Sequence, residues 1–281
     1  MNTIISEYDT LVVSGGAING ISILGGLQYL KDNNMINSIK TYVGTSVGVI
    51  ICYLLIIGYT PIEIIVYLCT NNHIFEKMKF FDLVNAARGE GATTFIHISE
   101  QLEKMTIEKI GRLLTLKDIE QNYKKKLICI TYNITKNSIE YLTHETNPDL
   151  PCLIAIRMSC NLPLVFESFK YENNFYIDGG VVNNFPVDVG EKEGEKVIAI
   201  GLEFYMMEDN PALNLLEYIY KLLYIPIQQS VNINIKNKRE TTTVINLRSN
   251  KDIKFFNFDI TSKIKLELFS KGYEDVKNFY N

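Results

Sequence analysis

Apolar positions along the chain fall into two kinds of run. Short, β-branched runs at Thr10–Val13, Ile39–Val43, Lys126–Asn133, Ser138–Thr143, Asn174–Ile177, Lys196–Gly201 and Thr241–Leu247 read as strands. Helical spacing governs Ile21, Leu24, Leu27 and Leu30, then Val49–Gly58, Asn214–Gln228 and Ser262–Tyr280. Near the N-terminus the two kinds alternate. Thr10–Val13 leads through the loop SGGAING into a helix that KDNN ends; Ile39–Val43 leads through a tight turn, Gly44 to Gly48, into a helix closed by Gly58 and followed by Pro61. Two successive strand–turn–helix units predict an α/β fold whose parallel sheet carries helices on its faces. From Pro61 to about Lys117 the pattern is helical but irregular, and its glycine-rich interruption at residues 86–94 reads as a cap or flap. No repeat, Ser/Pro linker or low-complexity tract divides the 281 residues, so residues 1–281 read as one domain. The longest apolar run, Val47 to Tyr59, falls short of the roughly 20 residues that span a bilayer and reads as a buried core helix.

Charge and composition narrow the function classes. A formal charge of −4 and a pI near 5.6 give no overall attraction for nucleic acid, whose binding rests on Lys and Arg at phosphates. Cys52, Cys69, Cys129, Cys152 and Cys160 form an odd set with no CxxC pair, as expected of reduced thiols. The N-terminal MNTIISEYDT lacks the basic and apolar regions of a secretory signal, so a cytoplasmic location is expected. His73, His97 and His144 have no metal-like spacing, and neither metal nor cofactor is expected. Lys124–Lys126 and Lys236–Arg239 read as solvated surface, and the pairs Phe80-Phe81 and Phe255-Phe256 as core.

Candidate chemistry starts at Gly44-Thr45-Ser46-Val47-Gly48, a GxSxG set between a strand and a helix. There a serine can sit on a sharp turn with its hydroxyl projecting, next to the free N–H groups of the helix. A Gly-Ser turn that merely caps a core helix would look the same. If Ser46 is a nucleophile it needs a base, and the histidines restrict the choice. The order Ser, acid, His fails because no histidine follows residue 144, and the order His, Asp, Ser fails because none precedes Ser46. Asp178 ends a strand-like run and is followed by Gly179 and Gly180, which would let its carboxylate reach a cleft, although Asp-Gly is also a common turn pair. A carboxylate is a weak base at its ordinary value near 3.9, so this role requires desolvation and proximity to the hydroxyl. The loop Ser14-Gly15-Gly16-Ala17-Ile18-Asn19-Gly20 could supply backbone N–H donors to an oxyanion. As a nucleotide site it fails: a P-loop would need lysine where Ile21 stands, and Ala17 occupies the middle glycine of a dinucleotide fingerprint.

These three elements in this order, with the stretch SCNLPLVFESFKYENNFYIDGGVVNNFPV at residues 159–187, resemble the patatin-like phospholipase family from Thr10 to about Gly201. The resemblance implies a three-layer α/β/α fold with a mainly parallel central sheet, its motif-bearing core near residues 10–201 and residues 202–281 completing it. It implies a lipid acyl hydrolase with a Ser–Asp dyad: Ser46 as nucleophile, Asp178 as base, and N–H groups around Gly15, Gly16 and Ala17 as oxyanion hole. Asn19, Gly20, Gly44, Gly48, Gly179 and Gly180 would support the loops. The expected substrate is a membrane phospholipid or another acyl lipid, met by peripheral contact with the membrane. Two departures stand out: the family's loop is close to GGGxRG, whereas here Ala17 replaces a glycine and Asn19 the basic residue. Alanine tolerates a negative φ there but is strained by a positive one, and the Asn19 amide keeps a hydrogen-bond donor but no charge. Two other activities fit the same residues: a soluble carboxylesterase or acyltransferase, and a lipid-binding protein with little catalysis.

Overall fold

The computed structural model describes residues 8–71, 91, 93–203, 215–248 and 260–281. Among them, eight strands form one sheet: β1 (Thr10–Val13), β2 (Thr41–Thr45), β3 (Lys126–Asn133), β4 (Ser138–Leu142), β5 (Phe169–Tyr171), β6 (Asn174–Asp178), β7 (Val197–Glu203) and β8 (Thr243–Arg248). β3, β2, β1, β7 and β8 lie side by side in parallel, and β4, β5 and β6 add antiparallel pairings around β3. Every residue of β1 and β2 is buried, as expected of parallel strands covered on both faces.

The described helices are α1 (Gly20–Asp32), α2 (Val47–Ile56), α3 (Pro61–Thr70), α4 (Ile96–Ile110), α5 (Leu116–Tyr123), α6 (Cys152–Ser159), α7 (Gly180–Asn183), α8 (Val187–Glu193), α9 (Leu215–Lys236) and α10 (Ser262–Tyr280). Strand alternation sorts the core into two layers. Leu11 and Val13 point toward Ile23, Leu24 and Leu27 of α1 and Ile51 and Cys52 of α2. Val12, Val43, Ile128 and Ala199 point the other way, toward Val187 and Val189 of α8 and Val231 of α9. The result is the expected three-layer α/β/α fold with a mainly parallel sheet. Local signals agree with it: α3 and α5 each begin with a capping box, Thr60 with Glu63 and Thr115 with Asp118, and Pro61 opens α3.

Some boundaries differ from the sequence reading. The turn expected over Gly44–Gly48 shrinks to one residue, because β2 runs through Thr45 and α2 begins at Val47. α9 continues through Pro226 to Lys236, well past the expected end at Gln228. Proline removes one intrahelical donor, but the second half is held by tertiary contacts: Val231 is buried, and the Asn234 amide donates to Asn183 Oδ1 and the Phe185 carbonyl, both at 3.0 Å. The flap expected at residues 86–94 lies, apart from Gly91, Thr93 and Thr94, outside the described residues, as do Phe80-Phe81, Phe255-Phe256 and His73. All five cysteines are free, and four of them are buried. Among the described residues, no single helix is long and apolar enough to cross a membrane.

Candidate active site

Ser46 alone makes the turn from β2 to α2, with φ 55° and ψ −129°, a conformation that costs a side-chain-bearing residue energy and persists only where its surroundings impose it. Those surroundings are specific. The Thr45 hydroxyl donates to the Asn183 carbonyl at 2.9 Å, and the Ser46 N–H donates to Ser159 Oγ at 3.0 Å. The glycines of GxSxG have steric reasons: a Cβ on Gly48 would collide with the Val13 carbonyl, and one on Gly44 would lie 2.7 Å from the Val49 nitrogen. Ser46 is half-buried at the N-terminus of α2, at the positive end of the helix dipole.

Asp178 reaches this turn through the pairing of β3. β4 occupies one edge of β3 from Cys129 to Asn133. On the other edge β2 pairs as far as Thr45 with Ile130, and β6 takes over with Asp178 against Thr131. The ends of β2 and β6 therefore meet along one edge of a single strand, which sets Asp178 next to Ser46. Asp178 is 2% exposed, and its Oδ1 accepts the Gly180 N–H at 2.7 Å. Burial pushes its carboxyl up from 3.8 to about 6, opposed by the Ser46 hydroxyl and then by the Gly180 N–H. The Ser46 hydroxyl is the first of the two groups that hold the carboxyl down against burial, ahead of the Gly180 N–H. Gly179 lies against the Ile130 carbonyl, where a Cβ would collide.

The glycine loop lies over the serine. A Cβ on Gly15 would stand 3.3 Å from Ser46 Cβ. The Gly15 N–H is already engaged, donating to the Asn184 carbonyl at 3.0 Å, whereas those of Gly16 and Ala17 have no hydrogen-bond partner among the described residues. Ala17 has φ 45°, in the strained region anticipated for a non-glycine residue here. Asn19 is 2% exposed, and its Oδ1 has no hydrogen-bond partner among the described residues. Gly20 opens α1 with the Val47 side chain packed on it.

Sequence reasoning singled out neither the end of α6 nor Asn184. The Asp178 N–H donates to the Asn161 carbonyl at 2.9 Å, and the Asn161 amide donates to the Tyr176 carbonyl at 2.7 Å. Arg157 donates to Asn161 Oδ1 at 2.5 Å, its guanidinium buried between Phe95 and Phe169. The Cys160 thiol borders Ser46 and Asp178, and burial keeps it protonated by pushing its value up. The signal for these residues was polar side chains inside the apolar run CLIAIRMSCNL, which helical periodicity alone does not explain. Among the described residues, no group of three or more His, Cys, Asp or Glu could hold a metal ion.

Comparison with known proteins places this arrangement. Residues 11–190 match the family described as patatin-like phospholipase. A protein of invertebrate iridescent virus 6 named probable lipid hydrolase 463L is 38% identical over 216 residues, 72% of this chain and 73% of that protein. The fold is similar to that of VipD from Legionella pneumophila, with TM-score 0.56 and 15% identity over 97% of this chain and 66% of VipD. It is also similar to human GIVD cytosolic phospholipase A2, with TM-score 0.51 and 10% identity over 97% of this chain and 59% of the human chain. With the family model matched over residues 11–190, more than half of its length, and a relative 38% identical over 72% of it, the chain belongs to the patatin-like phospholipase family.

Proposed function

We propose that this protein is a lipid acyl hydrolase of the phospholipase A type, cleaving fatty-acyl esters of phospholipids through an acyl-enzyme on Ser46 with Asp178 as base. The observation that carries the proposal is the convergence on Ser46: a strained elbow, a buried carboxyl raised to about 6 and a loop with two N–H groups that have no hydrogen-bond partner among the described residues. Family membership and the lipid hydrolase name of the viral relative support the substrate class.

In the first step Ser46 Oγ attacks the ester carbonyl carbon while its proton passes to the Asp178 carboxylate. A carboxyl value near 6 makes that acceptor a better base than an ordinary aspartate. The tetrahedral oxyanion takes hydrogen bonds from Gly16 and Ala17, since the Gly15 donor is committed to Asn184. Collapse breaks the C–O bond, and the lysolipid leaves with the proton held by Asp178. Water then attacks the acyl-enzyme, giving a proton to Asp178, which returns it to Ser46 Oγ as the fatty acid departs. A fluorophosphonate is expected to label the wild type and not Ser46→Ala. Phospholipid vesicles are expected to release fatty acid with the wild type, and with neither Ser46→Ala nor Asp178→Asn. Equal labelling, or equal release, across these proteins would overturn the proposal. Vesicle binding without release would favour the lipid-binding alternative, and turnover confined to dispersed short esters would favour the soluble esterase.

A further inference from the structure

Ser159, the last residue of α6, is 0% exposed and has no place in the chemistry above. Its hydroxyl accepts the Ser46 N–H at 3.0 Å and donates to the Ile130 carbonyl at 2.6 Å. A hydroxyl is suited to this position because one oxygen both accepts and donates. Ile130 is where the edge of β3 changes hands: it pairs with Thr45, the next residue pairs with Asp178, and Gly179 packs on the same carbonyl that Ser159 binds. The residue before Ser159 and the residue before Asp178 are held from the same point of β3, since the Thr131 hydroxyl shares its one proton between the Met158 carbonyl at 3.1 Å and the Ile177 carbonyl at 3.0 Å.

We infer that Ser159 is a positioning residue: its hydroxyl ties the nucleophile elbow to β3, the strand along which β2 and β6 meet, and so sets Ser46 in register with Asp178. The positive φ of Ser46 needs such a restraint, because left alone the residue would relax toward a commoner conformation and carry Oγ away from the carboxylate. Removing the hydroxyl leaves a buried N–H and a buried carbonyl without this partner, a cost set by their desolvation. A misplacement of about 1 Å at a nucleophile is enough for about a hundredfold loss of rate.

The inference rests on the hydrolase reading, so its test keeps the two apart. Ser159→Ala and the near-isosteric Ser159→Cys are compared with the wild type and with Ser46→Ala, using phosphatidylcholine vesicles and a fluorophosphonate. Rates are expressed per folded molecule, with the folded fraction taken from circular dichroism. For Ser159→Ala, kcat and the fluorophosphonate labelling rate are expected to fall about tenfold or more with KM within about twofold, and Ser159→Cys, which retains a weak donor, falls in between. Hydrogen exchange at the Ser46 amide is expected to speed up in Ser159→Ala. Wild-type kcat and labelling per folded molecule in Ser159→Ala, or unchanged exchange at Ser46, would overturn the positioning role. Should the wild type take the fluorophosphonate on Ser46 yet release no fatty acid, the hydrolase reading fails, and labelling and exchange rates still decide the role of Ser159.

Discussion

At the scale of single residues, the site is built from groups held in states they would not choose alone. Asp178 has its carboxyl raised from 3.8 to about 6 by burial. The base must be ionised to act, so the acid limb of kcat/KM is expected to bend near pH 6, and a limb near pH 4 in a rate–pH profile would show that Asp178 is not the base. The same shift acts on stability with a definite sign. Between pH 4 and 6 the folded protein holds a proton that the unfolded chain has released, so stability falls as pH rises through that window. A shift of about two units corresponds to about 3 kcal/mol at pH 8 as an upper bound. Asp178→Asn, which is neutral at every pH and keeps an oxygen for the Gly180 N–H, is expected to be inactive yet more stable than the wild type at pH 8, with little difference at pH 4. Urea denaturation at both values checks this. Ala17 is a second such residue: its φ of 45° suits glycine, and Ala17→Gly is expected to raise stability by about 1 kcal/mol in the same assay while retaining the loop's N–H donors.

At the scale of elements, helix approach depends on small residues. α10 crosses α1 so closely that a Cβ on Gly272 would collide with the Ser22 carbonyl, and one on Gly25 with the Phe269 carbonyl. Gly272→Ala forces the two helices apart and is expected to destabilise the protein by about 1–3 kcal/mol, with fluorophosphonate labelling falling only as the folded fraction falls; thermal melts and labelling of the same samples would show it. This crossing was not legible in the sequence, where Gly25, Gly26 and Gly272 look like weak helix positions, because close approach is a property of two segments some 250 residues apart. The strands were legible for the opposite reason: β1, β3 and β6 are local runs whose burial follows their own pattern. Ser46 and Asp178 stood out through their glycine flanks and the positions of the histidines. The clamp at Arg157–Asn161 did not, because its use comes from β2 and β6 meeting along β3, a register that local spacing cannot encode. The oxyanion loop was partly legible: its glycines marked it, but the commitment of the Gly15 N–H to Asn184 depends on a residue 169 positions away.

At the scale of the whole molecule, every residue placed in the site lies before Glu203, yet the layers that support it do not. β8 covers the edge of β7, and Val231 of α9 joins the core beneath α8. Leu268 and Val276 of α10 are buried in the clusters that also hold residues of α1 or the loop before it. The Tyr8 hydroxyl, just before β1, meets the Thr243 hydroxyl of β8 at 2.9 Å. A chain ending at Glu203 would keep Ser46, Ser159, Asp178 and the glycine loop, but leave an unpaired strand edge and bare apolar surface on both faces of the sheet. The strained conformation of Ser46 persists only while packing over-determines it, so the loss of support at the C-terminal end is felt at the nucleophile. Residues 1–203 produced alone are therefore expected to unfold without a cooperative transition and to take up little fluorophosphonate, despite containing all the proposed chemistry. Labelling of that fragment at the rate of the full chain would show instead that residues 10–201 are an autonomous unit and that the C-terminal third is an addition to it.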